Sequence, residues 1–201
     1  MKIVYSEINN IDLSALVTLI TRLDHRGLLL APAGDEHYKL LGYISLNLNN
    51  AKIVELGTHN GTSSTALSIN ISNHVRTYDI RDMYSVREQP NNVTRVIGNI
   101  FDLNEQHHLL EADFIFLDTA HTGDFEMQVY EYLRDNKYNG FIIFDDILWS
   151  DEMINFWDKI PNDIKYDITS IGHGKGLGPR GNVSGTGLVD FSGNIELIRN
   201  I

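Results

Sequence analysis

The chain contains no cysteine. Disulfides, thiolate nucleophiles and cysteine-ligated zinc are therefore excluded. Basic residues are scarce: 16 Lys and Arg stand against 27 Asp and Glu, for a net charge of −11. Proteins that grip a phosphate backbone usually present a basic footprint, so nucleic acid is not an expected partner. No apolar run approaches the roughly 20 residues of a membrane-spanning helix. The opening MKIVYSEINN also lacks the charged segment and long apolar stretch of a secretory leader. The expected setting is cytoplasmic, with no membrane partner. Internal repeats and low-complexity tracts are absent as well. What is there, 201 residues with 42% hydrophobic content, suits one globular domain with one substantial core.

Helix-like segments open the chain, at Ser14 to Leu23 and at Asp35 to Leu48, where Asp35 and Glu36 suit a helix start. Residues 1–50 read as a helical segment that covers a pocket, with His37 and Tyr38 facing it, and residues 51–201 as the main core. From Ile53 onward short apolar runs alternate with helices. The runs are Ile53 to Leu56, His74 to Ile80, Val93 to Ile97, Phe114 to Leu117 and Phe141 to Phe144. Between the last two, Asp124 to Leu133 places Phe125, Val129, Tyr132 and Leu133 on one helical face, with Gly140 as its stop. Two late strands, near Tyr166 to Ile171 and Gly187 to Phe191, are joined as a hairpin, which gives one antiparallel strand. The pattern predicts an α/β fold with a doubly wound, mostly parallel sheet.

The most informative stretch is Ala51 to Leu67, AKIVELGTHNGTSSTAL. It reads as a buried strand, a glycine turn and a helix N-terminus. Glycine has no Cβ, so Gly57 and Gly61 let bare backbone approach a ligand. The acid Glu55 would repel a pyrophosphate but not a cationic or hydroxyl-rich ligand. The spacing Gly-x-x-x-Gly also differs from the Gly-x-Gly-x-x-Gly of dinucleotide turns. In doubly wound sheets, ligands bind outside the carboxyl ends of the strands. The residues ending the apolar runs are Glu55, Asp79, Asn99, Asp118, Asp145 and Asp146. Acids gathered along one sheet edge repel one another unless a cation sits among them. Asp79 or Asn99 alone is more simply a loop residue or cap, but the whole set favours function.

VELGTHNGTSS resembles the first motif of class I S-adenosylmethionine-dependent methyltransferases. Asp79 lies 18 residues beyond Gly61, where that family keeps an acid for the ribose hydroxyls, and Gly98-Asn99 resembles its adenine-side turn. DFIFLDTAH and GFIIFDDILW resemble the divalent-metal-dependent O-methyltransferases of the catechol and caffeoyl-CoA type. They are at least as similar to the antibiotic-sugar methyltransferase and cephalosporin-hydroxylase-like branch. The resemblance covers about Asp35 to Trp149. It implies a seven-stranded Rossmann-like fold and S-adenosylmethionine as cofactor, bound by Glu55, Gly57, Thr58, Gly61, Ser63, Asp79, Asn99 and Asp118. It also implies a divalent cation on Asp118, Asp145 and Asp146. The catechol type has Asp-Asn where this chain has Asp145-Asp146. Carboxylate ligands suit magnesium foremost, with manganese or calcium as alternatives.

In the catechol-type family a lysine three residues after the first metal aspartate takes the substrate proton. Here that position is His121, so the resemblance makes His121 and Asp118 the expected catalytic pair. An imidazole titrates ordinarily at about 6.5 and accepts a proton near neutrality without tuning. A helix-start histidine without chemistry is an equal alternative. The other histidines, His25, His37, His59, His74, His107, His108 and His173, show no such placement, and His59 is expected to contribute backbone alone. Gly172 to Gly187, GHGKGLGPRGNVSGTG, reads as a flexible connection, or as a mobile lid in which Lys175 and Arg180 bind an acidic group. Trp149 is expected at the pocket wall and Trp157 in the core. The implied reaction is methyl transfer to a small molecule with vicinal oxygens, such as a catechol, a sugar diol or a hydroxy-acid. A metal-free methyltransferase, an NAD-dependent oxidoreductase and a non-catalytic binding protein are the rival readings. A homodimer is left open.

Overall fold

The uninterrupted apolar runs become the middle of a sheet. In the computed structural model, which describes residues 1–178, 181 and 183–199, the chain runs β1 (Lys2–Val4), α1 (Tyr5–Ile8), a 3-10 segment (Ser14–Leu19), α2 (Leu23–Leu29) and α3 (Tyr38–Asn47). The alternating part follows: β2 (Lys52–Leu56), α4 (Thr62–Leu67), β3 (His74–Asp79), β4 (Val93–Ile97), α5 (His107–Glu111), β5 (Phe114–Leu117), α6 (Asp124–Asp135), β6 (Phe141–Asp145) and α7 (Asp151–Lys159). β7 (Lys165–Asp167), β8 (Thr186–Asp190) and β9 (Glu196–Ile198) close the chain.

Seven strands form one sheet in the order β4-β3-β2-β5-β6-β8-β7. β8 runs antiparallel to both its neighbours, and the other pairs are parallel. Every residue of β5, β6 and β8 is buried, as expected of strands covered on both faces. The edge strands β4 and β7 keep partly exposed positions. Side chains alternate between two cores, as strand geometry requires. Ile53, Phe114, Phe116 and Ile143 pack with Leu40, Leu41 and Ile44 of α3. Val54, Ile115, Ile142 and Phe144 pack with Val129 and Leu133 of α6 and with Phe156 and Trp157 of α7. The strand order turns back between β2 and β5, so a crevice opens at their carboxyl ends.

The first helical expectation holds only in part. Ser14–Leu19 is a 3-10 segment, and Ile20 breaks it by pairing with Val86. Asp35 and Glu36 do not start α3; they lie in a turn after Pro32, whose carbonyl accepts from the Asp35 N–H. Helix α6 ends at Asp135 rather than at Gly140, since Lys137 has already turned to a left-handed conformation (φ 56°). β1 pairs in parallel with β9, tying the two ends of the chain together beside the main sheet. Among the described residues, no helix is long and apolar enough to cross a membrane.

Candidate active site at the carboxyl edge of the sheet

Gly57 follows β2 in a conformation (φ 101°) that side-chain-bearing residues rarely adopt, and a Cβ there would collide with the Asp118 carbonyl oxygen. The turns after β2 and β5 therefore touch through bare backbone. Beside them lies a cavity of about 590 Å³ whose wall includes Gly57, Asp79, Gly98, Asn99 and Asp118. The Asp79 carboxylate is aimed by two backbone donors, the N–H of His59 at 2.7 Å and that of Arg81 at 2.9 Å. His59 thus contributes through its backbone, from a left-handed residue (φ 43°). A second, more open depression of about 780 Å³ lies beside β7 and contains none of the residues expected at the site.

Glu55, Thr58, Gly61 and Ser63 stand behind the turn rather than in the cavity wall. Glu55 is fully buried and accepts from the Thr77 hydroxyl, which in turn lies 2.5 Å from the Thr58 hydroxyl. Burial pushes the Glu55 carboxyl up to about 8, against the lowering pull of Ser63 and Thr77. Water does not reach this carboxyl, which braces β2 against β3 through Thr77 and holds on to its proton more tightly than an exposed carboxylate would.

The remaining acids converge. Asp145 ends β6 with 2% of its surface exposed, and its Oδ1 accepts from the Thr186 hydroxyl at 3.2 Å. Consecutive strand residues point to opposite faces, but Asp146 turns left-handed (φ 57°) and brings its carboxylate back to the same edge. His121, also left-handed (φ 53°), reaches both Asp118 (Nε2 to Oδ1, 3.4 Å) and Asp146 (Nε2 to Oδ2, 3.1 Å). Trp149 lies 6.0 Å from the His121 ring, and Trp157 is buried in the core. The Asp118 side chain remains 32% exposed and faces both the cavity and this cluster. Burial and the Asp145 carboxylate raise the Asp118 carboxyl above the usual range. Burial also opposes ionisation of Asp145, but His37 and His173 overcome it and hold Asp145 low.

His37, expected to face the pocket, and His173, given no role in the sequence, both sit among the acids. His37 Nδ1 is 3.0 Å from Asp145 Oδ2, and His173 Nδ1 is 3.5 Å from Asp145 Oδ2 and from Asp146 Oδ1. Burial works against their charge, but the neighbouring carboxylates win and raise His37 to about 9 and His173 to about 11. Glu36 joins from the turn before α3, its Oε1 3.7 Å from His173 Nε2. The legible signal for His37 was the run Asp35-Glu36-His37, three ligand-type residues in succession. For His173 it was the pair of flanking glycines. A Cβ on Gly172 would meet Thr186, and one on Gly174 would lie 2.8 Å from the Gly34 carbonyl oxygen. The glycines allow the strap to press against both neighbours and present His173 inward. The strap is pinned by bridges from Gly34 to His173 and from Leu177 to Val183. Lys175 pairs with Asp35 instead of standing free, and Arg180 lies outside the described residues.

No family model matches the sequence, and no curated protein matches it either. Solved structures do match. A candidate caffeoyl-CoA O-methyltransferase from Staphylococcus aureus superposes with a TM-score of 0.54 at 18% identity, over 92% of this chain and 88% of that one. A candidate O-methyltransferase from Klebsiella pneumoniae gives 0.52 at 18% identity, over 89% and 90%. The O-methyltransferase of Bacillus cereus, solved with S-adenosylhomocysteine, gives 0.51 at 17% identity, over 92% and 90%. The chain shares the Rossmann-like fold of these structures across nearly its whole length.

Proposed function

We propose that this protein is an S-adenosylmethionine-dependent O-methyltransferase acting on a small molecule with neighbouring oxygens. One observation carries the reading: Asp118 stands where the cavity beside Gly57 and Asp79 meets the cluster of Asp145, Asp146 and His121. A donor in the cavity and an acceptor at the cluster would meet at that residue. The fold shared with the Bacillus cereus enzyme, solved with S-adenosylhomocysteine, supports the assignment of the cavity.

When bound, S-adenosylmethionine would supply an electrophilic methyl group on a sulfonium, with S-adenosylhomocysteine, a neutral thioether, as the leaving group. Asp79, with its carboxylate aimed by two N–H donors, is suited to grip the ribose hydroxyls. His121 takes the acceptor's hydroxyl proton on Nε2, the nitrogen that faces Asp118 and Asp146. The two carboxylates stabilise the imidazolium that results. Positioning of acceptor against donor supplies much of the remaining acceleration. A divalent cation suits this edge, where Asp146 Oδ1 and the His37 nitrogens are buried without hydrogen-bond partners. Asp145, grouped with Asp118 or with Asp146, would contribute carboxylate ligands, and the ion would lower the pKa of an acceptor hydroxyl. The excess of acidic residues supports a small-molecule acceptor rather than a nucleic acid.

Two measurements test the reading. S-adenosylhomocysteine should raise the melting temperature where NAD does not. Methyl transfer to a panel of catechols, sugar diols and hydroxy-acids should then proceed and stop on chelation. Stabilisation by NAD alone would overturn the assignment, and turnover indifferent to chelation would remove the ion from it.

A further inference from the structure

The three aspartates do not make a donor set of their own. Among the described residues, the close groupings that contain Asp145 are His37 with Asp118 and Asp145, and Asp145 with Asp146 and His173, each with its ligand atoms within 4.8 Å of one another. Whichever grouping an ion occupies, an imidazole nitrogen lies in its shell.

The distances fit shared coordination. Two donors about 2.1 Å from a six-coordinate ion stand about 3.0 Å apart, and two donors of a tetrahedral ion about 3.4 Å apart. The observed separations are 3.0 Å for His37 to Asp145 and 3.5 Å for His173 to Asp145 and to Asp146. At 3.0 Å a well-made hydrogen bond would place the N–H on the line to the oxygen. His37, only 4% exposed, has a buried Nε2 with no partner, and the contacts of His37 Nδ1 with Asp145 and of His173 Nδ1 with Asp145 and Asp146 are ion-pair contacts without hydrogen-bond geometry. Buried polar atoms so placed are costly unless something else engages them. The His37 ring lies against Phe116 at 5.0 Å, and the backbone that carries His173 is fixed by the bridge to Gly34. Imidazole is a ligand of zinc, iron, nickel and copper, whereas magnesium and calcium prefer oxygen.

We propose that the ion at this edge is bound through the imidazoles of His37 and His173 together with Asp145, so that the site selects a divalent transition metal such as iron or zinc over magnesium and calcium. This rests on the proposed function only in taking the same edge as the metal site.

The test uses the full chain, stripped with a chelator and titrated calorimetrically with magnesium, manganese and zinc. An all-oxygen site would also prefer zinc to magnesium, so the deciding quantity is how the preference changes when imidazoles are removed. His37→Ala and His173→Ala should each weaken manganese and zinc binding tenfold or more while leaving magnesium binding within about twofold. His37→Gln, which keeps a polar side chain of similar reach, should behave like the alanine variant. Electron spin-echo spectroscopy of the wild-type protein with manganese(II) should show coupling to nitrogen, a readout that needs no variant to fold. No ion binding, equal losses for all three ions, or a manganese spectrum without nitrogen would each overturn the proposal. S-adenosylhomocysteine binding is measured on the same samples without metal. Its absence beside intact nitrogen coupling would sink the methyltransferase reading and leave the metal site standing; its presence without nitrogen coupling would do the reverse.

Discussion

His121 and Glu55 show how far a residue's role depends on what surrounds it. His121 is suited to take a proton because a left-handed backbone holds its Nε2 between two carboxylates. Replacing it with Asn, which tolerates that backbone, should lower kcat by about 10²- to 10⁴-fold, with S-adenosylhomocysteine affinity unchanged by calorimetry. An equal loss of cofactor binding would make the residue structural. Glu55 offers a test by pH. Its carboxyl is raised to about 8 in the folded chain from an ordinary value of about 4.5. The folded state therefore keeps a proton that the unfolded state releases. Stability from this source is complete below pH 4.5 and is lost as the pH climbs through 8. Glu55→Gln should remove that decline, so urea midpoints at pH 5, 7 and 9 should move in the variant's favour as pH rises. Parallel declines would show that Glu55 is ionised after all.

At the scale of elements, strand ends and the turns after them build the site. β3, β5 and β6 each deliver a carboxylate at or just past their last residue, and the turn geometry decides which way it points. The glycine turn between β2 and α4 is the tightest of these joints, since Gly57 lies directly on the Asp118 carbonyl. Gly57→Ala must move one turn or the other. The expected result is a loss of at least about 1–3 kcal/mol, the usual cost of a strained backbone, with S-adenosylhomocysteine binding abolished. A urea midpoint and a cofactor titration both equal to wild type would show that the two turns do not touch in solution. The helices have a supporting part here. Ser150 caps α7 by accepting from the Met153 N–H and also reaches the His121 carbonyl. One small side chain thereby links a helix start to the turn that carries the proton acceptor.

For the whole molecule, charge is the leading long-range term. A net charge of −11 makes the compact chain repel itself, and salt screens that repulsion. Raising salt from 10 to about 150 mM, where the Debye length is about 8 Å, should lift the melting temperature by about 2–4 °C, equivalent to about 1 kcal/mol in a chain this size. A fall would mean that local ion pairs outweigh the net field. The sheet needed no such long-range information to be foreseen. FIFL and FIIF have a low-energy place only between two covered faces, and their alternation with amphipathic segments already implies parallel strands. The acids ending those runs were legible for the same reason, because the carboxyl edge follows from strand direction. The amino-acid order by itself thus determined the fold class and one side of the candidate site. Only the tertiary structure decided the other side. His37 precedes α3 and His173 lies in a glycine strap, far apart in the chain, and no periodic pattern couples them. Their meeting over Asp145 depends on how loops close across the sheet, and the rise in the Glu55 pKa depends on how completely that closure excludes water. Hydrophobic patterning specifies which residues are inside, but not which polar groups meet there.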